Sequence, residues 1–199
     1  MIDISKISNS RPYNTFRDLY NFAKDQNQAN IEACCISSID AKTNEIDSRF
    51  VNIKYIFQKE FIFFSNYESI KAKHFESHDQ ISAVFFWNSI RAQIRLKAKV
   101  YKSSEDFSDS HFKLRPIEKN ALAISSNQSK EISSFDEVKY KFENTLSNSQ
   151  LLNQRPKFWG GYSFKPYYFE FWTGHKNRLN KREVFFKNHN KWSKKILEP

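Results

Sequence analysis

The groups best placed to do chemistry in this chain are cations set in strand-like or aromatic segments. Arg49 and Lys54 bracket Phe-Val-Asn-Ile. Five apart on one strand, they point to opposite faces unless a bulge or twist turns both toward one ligand. Lys71 opens a predicted short helix after Phe64-Ser65-Asn66-Tyr67. Backbone amides at such a start, with a lysine beside them, suit an anion. Arg115 precedes Pro116 at a helix break, and Arg178 and Arg182 follow the aromatic strand that ends in Phe171-Trp172. Several fixed cations beside large flat side chains suit a ligand that is both aromatic and phosphorylated. Taken singly, each also reads as an ordinary surface cation.

Other chemistries lack their residues. The only glycines are Gly160, Gly161 and Gly174. A dinucleotide fingerprint, a glycine-rich phosphate loop and a Gly-x-Ser-x-Gly nucleophile turn are therefore excluded. His74-Phe-Glu-Ser-His78 puts two histidines on one helical face. A zinc hydrolase helix has its glutamate directly after the first histidine. Here the glutamate is displaced and no third ligand is evident, so a solvated face and no metal are expected. Cys34 and Cys35 are sequence neighbours in an apolar segment, poor disulfide partners that read as reduced strand residues.

The elements that must position the cations fit one domain of 199 residues. With 39% hydrophobic and 27% charged residues the chain reads as globular. Mean hydropathy is −0.72, and no apolar run approaches the roughly 18 residues of a membrane helix. The polar first eleven residues carry no signal-peptide pattern, so a cytoplasmic protein without membrane partners is expected. Thirty-two cationic against 22 acidic residues give a net charge of +10. A basic nucleic-acid-binding module is the competing class of function. The lysines are dispersed and no run of five cations occurs, and an AT-rich codon bias explains the Lys, Asn, Ile and Phe content as well. No nucleic-acid partner is expected.

Residues 12–28 show helical spacing, with Phe16, Leu19, Tyr20 and Ala23 on one face and Thr15 and Asp18 as a capping box. Segments 31–39, 49–57 and 61–65 read as strands, and 68–77 as a short helix. Residues 81–87 form a nearly continuous apolar strand suited to a sheet centre. From 91 to 101, Ile94, Leu96, Ala98 and Val100 alternate with Arg95, Lys97 and Lys99, the pattern of a half-buried strand. Residues 103–155 carry helical patterning broken at Pro116, with Ser103 and Asp106 as candidate caps. Strands follow at 162–172, 183–187 and 191–196. The fold class is mainly β with flanking helices, an α+β domain or β-barrel.

Arg49-Phe-Val-Asn-Ile-Lys54, Phe63 to Lys71, Ala92-Gln93-Ile94, Arg115-Pro116, Gln128-Ser129, Phe158-Trp-Gly-Gly-Tyr162, Glu170-Phe-Trp172 and Arg178-Leu-Asn-Lys-Arg182 occur in this order. Together they resemble the pyridoxamine 5'-phosphate oxidase family over most of the chain. The resemblance implies a single FMN-binding split β-barrel domain over residues 1–199. Residues 1–29 would be a helical N-terminal segment, and 156–199 a dimerisation and substrate segment. It implies non-covalent FMN and a homodimer with two sites at the subunit interface. The implied reaction oxidises pyridoxamine or pyridoxine 5'-phosphate to pyridoxal 5'-phosphate, with dioxygen as acceptor and hydrogen peroxide as product. The cofactor carries that chemistry while the protein orients it.

By position, the resemblance assigns Arg49, Ser65, Lys71, Gln128 and Ser129 to the FMN phosphate and ribityl chain. Gln93, Trp172 and Arg182 fall to the flavin ring, Val51 and Phe64 to the cofactor pocket, and Lys54 between flavin and substrate. Lys54, His111, Arg115 and Lys119 would meet the substrate phosphate, with Asn180 nearby. Arg178, the implied catalytic residue, would cover the pyridine ring. Departures from the family pattern cluster on the substrate side. Ile70 stands where arginine is usual, His111 for tyrosine, Lys119 for serine, Asn180 for histidine and Leu122 for a common glycine. Loss of one phosphate contact at Ile70, at about 1.5–3 kcal/mol, would weaken FMN some ten- to hundredfold unless another cation replaces it. A related oxidase with another substrate, as in the phenazine pathway, and a flavin binder without turnover are the alternatives within the family.

Overall fold

The computed structural model describes residues 1–148, 150–189 and 191–199. Helix α1 (Arg11–Asp25) is followed by strands β1 (Ala33–Ile39), β2 (Ile46–Asn52), β3 (Tyr55–Phe57) and β4 (Glu60–Asn66), then helix α2 (Ile70–Ser77). Strands β5 (Gln80–Trp87) and β6 (Ala92–Lys102) lead into helices α3 (Glu105–Leu114), α4 (Ile117–Ser125) and α5 (Phe135–Ser147). The chain ends in β7 (Trp159–Thr173), β8 (Lys181–Asn188) and β9 (Lys191–Leu197). The strands join one antiparallel sheet in the order β2-β1-β5-β6-β7-β4-β3, with β8 and β9 added alongside β7. This is the mainly β, curled split-barrel architecture expected from the sequence.

The sheet closes around an aromatic core because alternate strand positions are apolar. Phe61, Phe63, Phe85, Trp87, Phe164 and Phe169 are fully or almost fully buried. Helix α1 adds Tyr13, Phe16 and Tyr20, and Phe16 meets Phe61, Phe85 and Trp87 edge-on at centroid distances of 5.1–5.5 Å. Edge-to-face pairs of this kind exceed simple area burial by about 0.5–1.5 kcal/mol each.

Several sequence expectations shift. Helix α1 starts at Arg11, not at Thr15; Pro12 fixes the backbone of the first turn, and Thr15 Oγ1 instead donates to the Arg11 carbonyl inside the helix. Ser104, not Ser103, caps α3 by accepting from the Phe107 amide, while Ser103 bonds Ser163. β5 is central in the sheet but covered on one face only: Ile81, Ala83, Phe85 and Trp87 are buried and Phe86 is exposed. The single strand expected over 49–57 is two. It breaks at Ile53-Lys54, whose amides bond the Glu32 and Ile62 carbonyls. With that break the strict alternation between Arg49 and Lys54 is lost.

Candidate active site

One cleft of about 290 Å³ opens between the β2 and β4 strands and the α2, α3 and α4 helices. Val51, Lys54, Phe64, Ser65, Lys71, His111, Arg115, Lys119 and Gln128, nine of the expected site residues, line it. Four of these are cationic, and none of the lining residues is acidic.

Each cation is held by a different physical device. Lys71 sits on the first turn of α2, 8% exposed, and its Nζ donates to Ser65 Oγ at 3.0 Å and Ser69 Oγ at 3.1 Å. Its partners are neutral hydroxyls. Burial, with nearby Arg49 adding to it, lowers its pKa to about 8. Ser65 in turn reaches the Gln128 amide oxygen at 3.4 Å. Arg115 ends α3, and its guanidinium lies 4.2 Å from the Trp159 ring centroid. Its Nη2 donates to the Lys119 carbonyl at 2.9 Å, while Nη1 is buried without a partner among the described residues. Burial pulls its pKa down to about 10. Burial lowers the Lys54 pKa; Glu32 opposes this, and Lys119 and Arg115 add to it. His111 stacks on Phe64 at 3.7 Å between centroids and bonds the Tyr55 hydroxyl through Nδ1 at 2.9 Å. Burial, then Arg115 and Lys54, push its pKa down to about 4, so it is neutral at neutral pH. Trp159 and Ser69, to which the sequence reading gave no role, shape this site. Trp159 and Ser69 were visible only as parts of motifs, Ser69 inside the helix expected over 68–77 rather than at its N-cap.

Arg49 lies at the β2 border of the cleft, close enough to Lys71 to depress its pKa. It donates to Ser38 Oγ at 2.6 Å and pairs with Asp47 at 3.5 Å. Ser129 adjoins Gln128 in a neighbouring hollow between α4 and α5, with a left-handed φ of 70°. Ile70 is half exposed at the start of α2. His74 departs from expectation: it is 5% exposed rather than solvated, with Nδ1 3.1 Å from Ser38 Oγ.

The remaining expected residues gather elsewhere. Gln93, Trp172 and Arg182 are cross-strand neighbours on β6, β7 and β8, so their side chains share one face of the sheet. Trp172, Arg178 and Asn180 line a second, more open cavity of about 540 Å³ with Phe86, Asn88, Arg91, Gly174 and His175. Arg178 adopts a left-handed φ of 60°, a conformation that costs a non-glycine residue about 1–2 kcal/mol. Arg182 is clamped by buried Glu170, with Nε at 2.9 Å and Nη2 at 2.8 Å from Oε1. Within one chain, then, nine expected residues line the first cleft and Trp172, Arg178 and Asn180 line the second cavity, with Gln93 and Arg182 beside Trp172 in the sheet.

The family models complete this picture. The model described as pyridoxamine 5'-phosphate oxidase matches residues 24–148. The model for the pyridoxine 5'-phosphate oxidase C-terminal dimerisation region matches 159–199. The chain belongs to the pyridoxamine 5'-phosphate oxidase family. A pyridoxine/pyridoxamine 5'-phosphate oxidase of Leptospira biflexa is 33% identical over 190 residues, covering 94% of this chain and 89% of the relative. A protein of the same name from Cytophaga hutchinsonii is 39% identical over 142 residues, covering 69% of this chain and 65% of that one. Among solved structures, PhzG from Burkholderia lata 383 in complex with tetrahydrophenazine-1-carboxylic acid superposes with a TM-score of 0.88 at 21% identity. It covers 96% of this chain and 93% of its own. A pyridoxamine 5'-phosphate oxidase-related, FMN-binding protein from Nostoc punctiforme gives a TM-score of 0.76 at 10% identity, covering 92% and 97%. At these identities the two structures bear on the fold, which they share with this family member. FMN is the cofactor of the family.

The fit to that cofactor can be judged on the cleft itself. An orphaned guanidinium nitrogen, a desolvated lysine held only by hydroxyls and a lining with four cations and no carboxylate call for anionic oxygens. Residues of this kind fit a phosphate-bearing cofactor. One consequence is measurable. Without ligand, Lys71 binds fewer protons than in the unfolded chain between pH 8 and 10.5. Stability of the ligand-free protein should therefore rise across that window as the buried charge is relieved. An anion on Lys71 needs the charged form, so FMN affinity should fall roughly tenfold per pH unit above about 8. Fluorescence titration at pH 7.5 and 9.5 reads this; equal dissociation constants would mean that Lys71 does not touch the phosphate.

Proposed function

We propose that this protein is an FMN-dependent oxidase of pyridoxamine and pyridoxine 5'-phosphate. It forms pyridoxal 5'-phosphate and hydrogen peroxide with dioxygen as acceptor, and works as a homodimer with two shared sites. The observation that carries the reading is the concentration of Lys54, Lys71, Arg115 and Lys119 in one cleft without a carboxylate. One phosphate would leave much of that charge uncompensated, whereas a cofactor phosphate and a substrate phosphate together balance it.

In this reading Lys71, Ser65, Gln128 and Arg49 hold the FMN phosphate side. Arg115, Lys119, Lys54 and neutral His111 hold the substrate phosphate. Arg115 is pre-oriented by stacking on Trp159, so it loses little side-chain freedom on binding. Lys119 adds charge where relatives of the family usually have serine, and His111 keeps a ring N–H donor where they have tyrosine. Bound FMN supplies the two-electron acceptor for the substrate C4' carbon and the route to dioxygen. Trp172, Gln93 and Arg182 frame the flavin ring, and Arg178 covers the pyridine. Trp172 and Arg178 line the second cavity, Gln93 and Arg182 flank Trp172 across the sheet, and in this reading the partner subunit contributes them. The matched C-terminal dimerisation region, which contains Trp172, Arg178 and Arg182, supports that arrangement.

Anaerobic titration tests the assignment. Pyridoxine or pyridoxamine 5'-phosphate should bleach the flavin absorbance of the yellow protein near ~450 nm, because reduction removes the oxidised chromophore. A yellow protein that neither vitamer bleaches would reject the substrate assignment in favour of another oxidisable compound or a flavin binder without turnover. A colourless protein that takes up no FMN but binds nucleic acid with steep salt dependence would reject the flavin reading itself.

A further inference from the structure

His74 belongs to the one histidine pair in the sequence that the proposed reaction does not use, and it is buried. It sits on α2, three residues after Lys71, and faces Ser38 on β1. Ser38 is 3% exposed. Its Oγ lies 3.1 Å from His74 Nδ1 and accepts from Arg49 Nη1 at 2.6 Å. A guanidinium can only donate, and Ser38 Oγ keeps a second lone pair and one proton, so it can bond His74 Nδ1 in either tautomer of the ring. The three side chains form one hydrogen-bonded chain from Arg49 through Ser38 to His74.

This chain ties the helix that carries Lys71 to the strand that carries Arg49. The tie meets a physical need. Arg49 and Lys71 are like charges; burial disfavours the charged form of each, and Arg49 further disfavours that of Lys71. In the absence of an anion they tend to splay apart. Asp47 offsets Arg49 from the exposed side only, at 3.5 Å and with its own side chain 54% exposed, where an ion pair contributes little. The hydroxyl–imidazole link works from the buried side, where a hydrogen bond left unmade is costly.

We infer that Ser38 and His74 are positioning residues that hold the Arg49 guanidinium toward the phosphate of the bound flavin. The inference rests on the assignment of Arg49 to the FMN phosphate. Neither residue touches the cofactor in this account. Their effect passes through Arg49 and is confined to the phosphate end of the ligand.

Comparing FMN with riboflavin, which lacks the phosphate, isolates that end. Dissociation constants for both flavins would be measured by fluorescence quenching for the wild-type chain and for Ser38→Ala, His74→Phe, His74→Asn and Arg49→Ala. Ser38→Ala and His74→Phe should each weaken FMN by roughly tenfold, as expected for one misdirected charge-assisted bond, and leave riboflavin unchanged. His74→Asn, which keeps an acceptor near the Nδ1 position, should restore most of the FMN preference. Equal losses for both flavins would overturn the inference, since they mark a general packing role. So would an unchanged FMN preference in Ser38→Ala while Arg49→Ala loses it. If Arg49→Ala itself keeps the full preference, the assignment of Arg49 to the phosphate falls, and the positioning role falls with it.

Discussion

Co-expressing Lys54→Ala and Arg178→Ala chains is expected to restore oxidase activity that neither variant has alone. Lys54 lines the cationic cleft, and Arg178 lines the separate cavity beside Trp172. If a complete site takes one cavity from each of two subunits, a mixed dimer holds one site with both halves intact and one with both halves damaged. Random pairing makes half of the dimers mixed, each with one working site of two, so about a quarter of wild-type activity should return. Either variant purified alone should fall by about a hundredfold or more, because it loses a group proposed to touch substrate in both of its sites. No recovery in dimers verified as mixed would mean that both cavities serve the same subunit's site. The shared-site arrangement would then be rejected.

Lys71→Met should produce two effects of opposite sign. The substitution keeps an unbranched side chain of similar length at a buried position. It removes a charge that burial and Arg49 disfavour. Stability of the flavin-free protein should hold or rise, as when buried charges are replaced by apolar groups of like volume. FMN affinity should drop by about ten- to a hundredfold, since a charge-assisted bond to phosphate contributes about 1.5–3 kcal/mol. Urea midpoints without flavin and flavin titrations at pH 7 read the two effects separately. A loss of stability with unchanged affinity would assign Lys71 a structural role through Ser65 and Ser69. The same expectation separates Lys71 from Ile70 beside it, which is half exposed and offers no charge to lose.

The elements of the fold were legible in the linear chain because their signals are local. Alternation over β6 placed Ile94, Leu96, Ala98 and Val100 inward, as observed. The apolar spacing of α1 and the break at Pro116 likewise reflect periods of a few residues, which sequence displays directly. Where two local signals competed, the period alone misjudged the outcome. The apolar run of β5 hid a one-sided strand, and the run over 49–57 hid the break at Ile53-Lys54, because covering a face and bonding an amide depend on distant neighbours.

The residue types of the site were also legible, through eight short motifs in order. Their chemistry was not. Only packing made Lys71 a desolvated cation, left Arg115 with an unpaired buried nitrogen, and made His111 neutral. Only packing turned His74 from an apparent surface histidine into the buried end of a hydrogen-bonded chain. Whether a charge is solvated, and which charge lies beside it, are properties of contacts between residues dozens of positions apart, such as Ser38 with His74 or Tyr55 with His111. The separation of the expected residues into two regions has the same origin. Sheet register puts Gln93, Trp172 and Arg182 in one row across β6, β7 and β8. The cationic cleft forms apart from that row, where β2 and β4 meet the α2, α3 and α4 helices. Composition and motif order carry no term for that separation, because it arises only when distant strands pair.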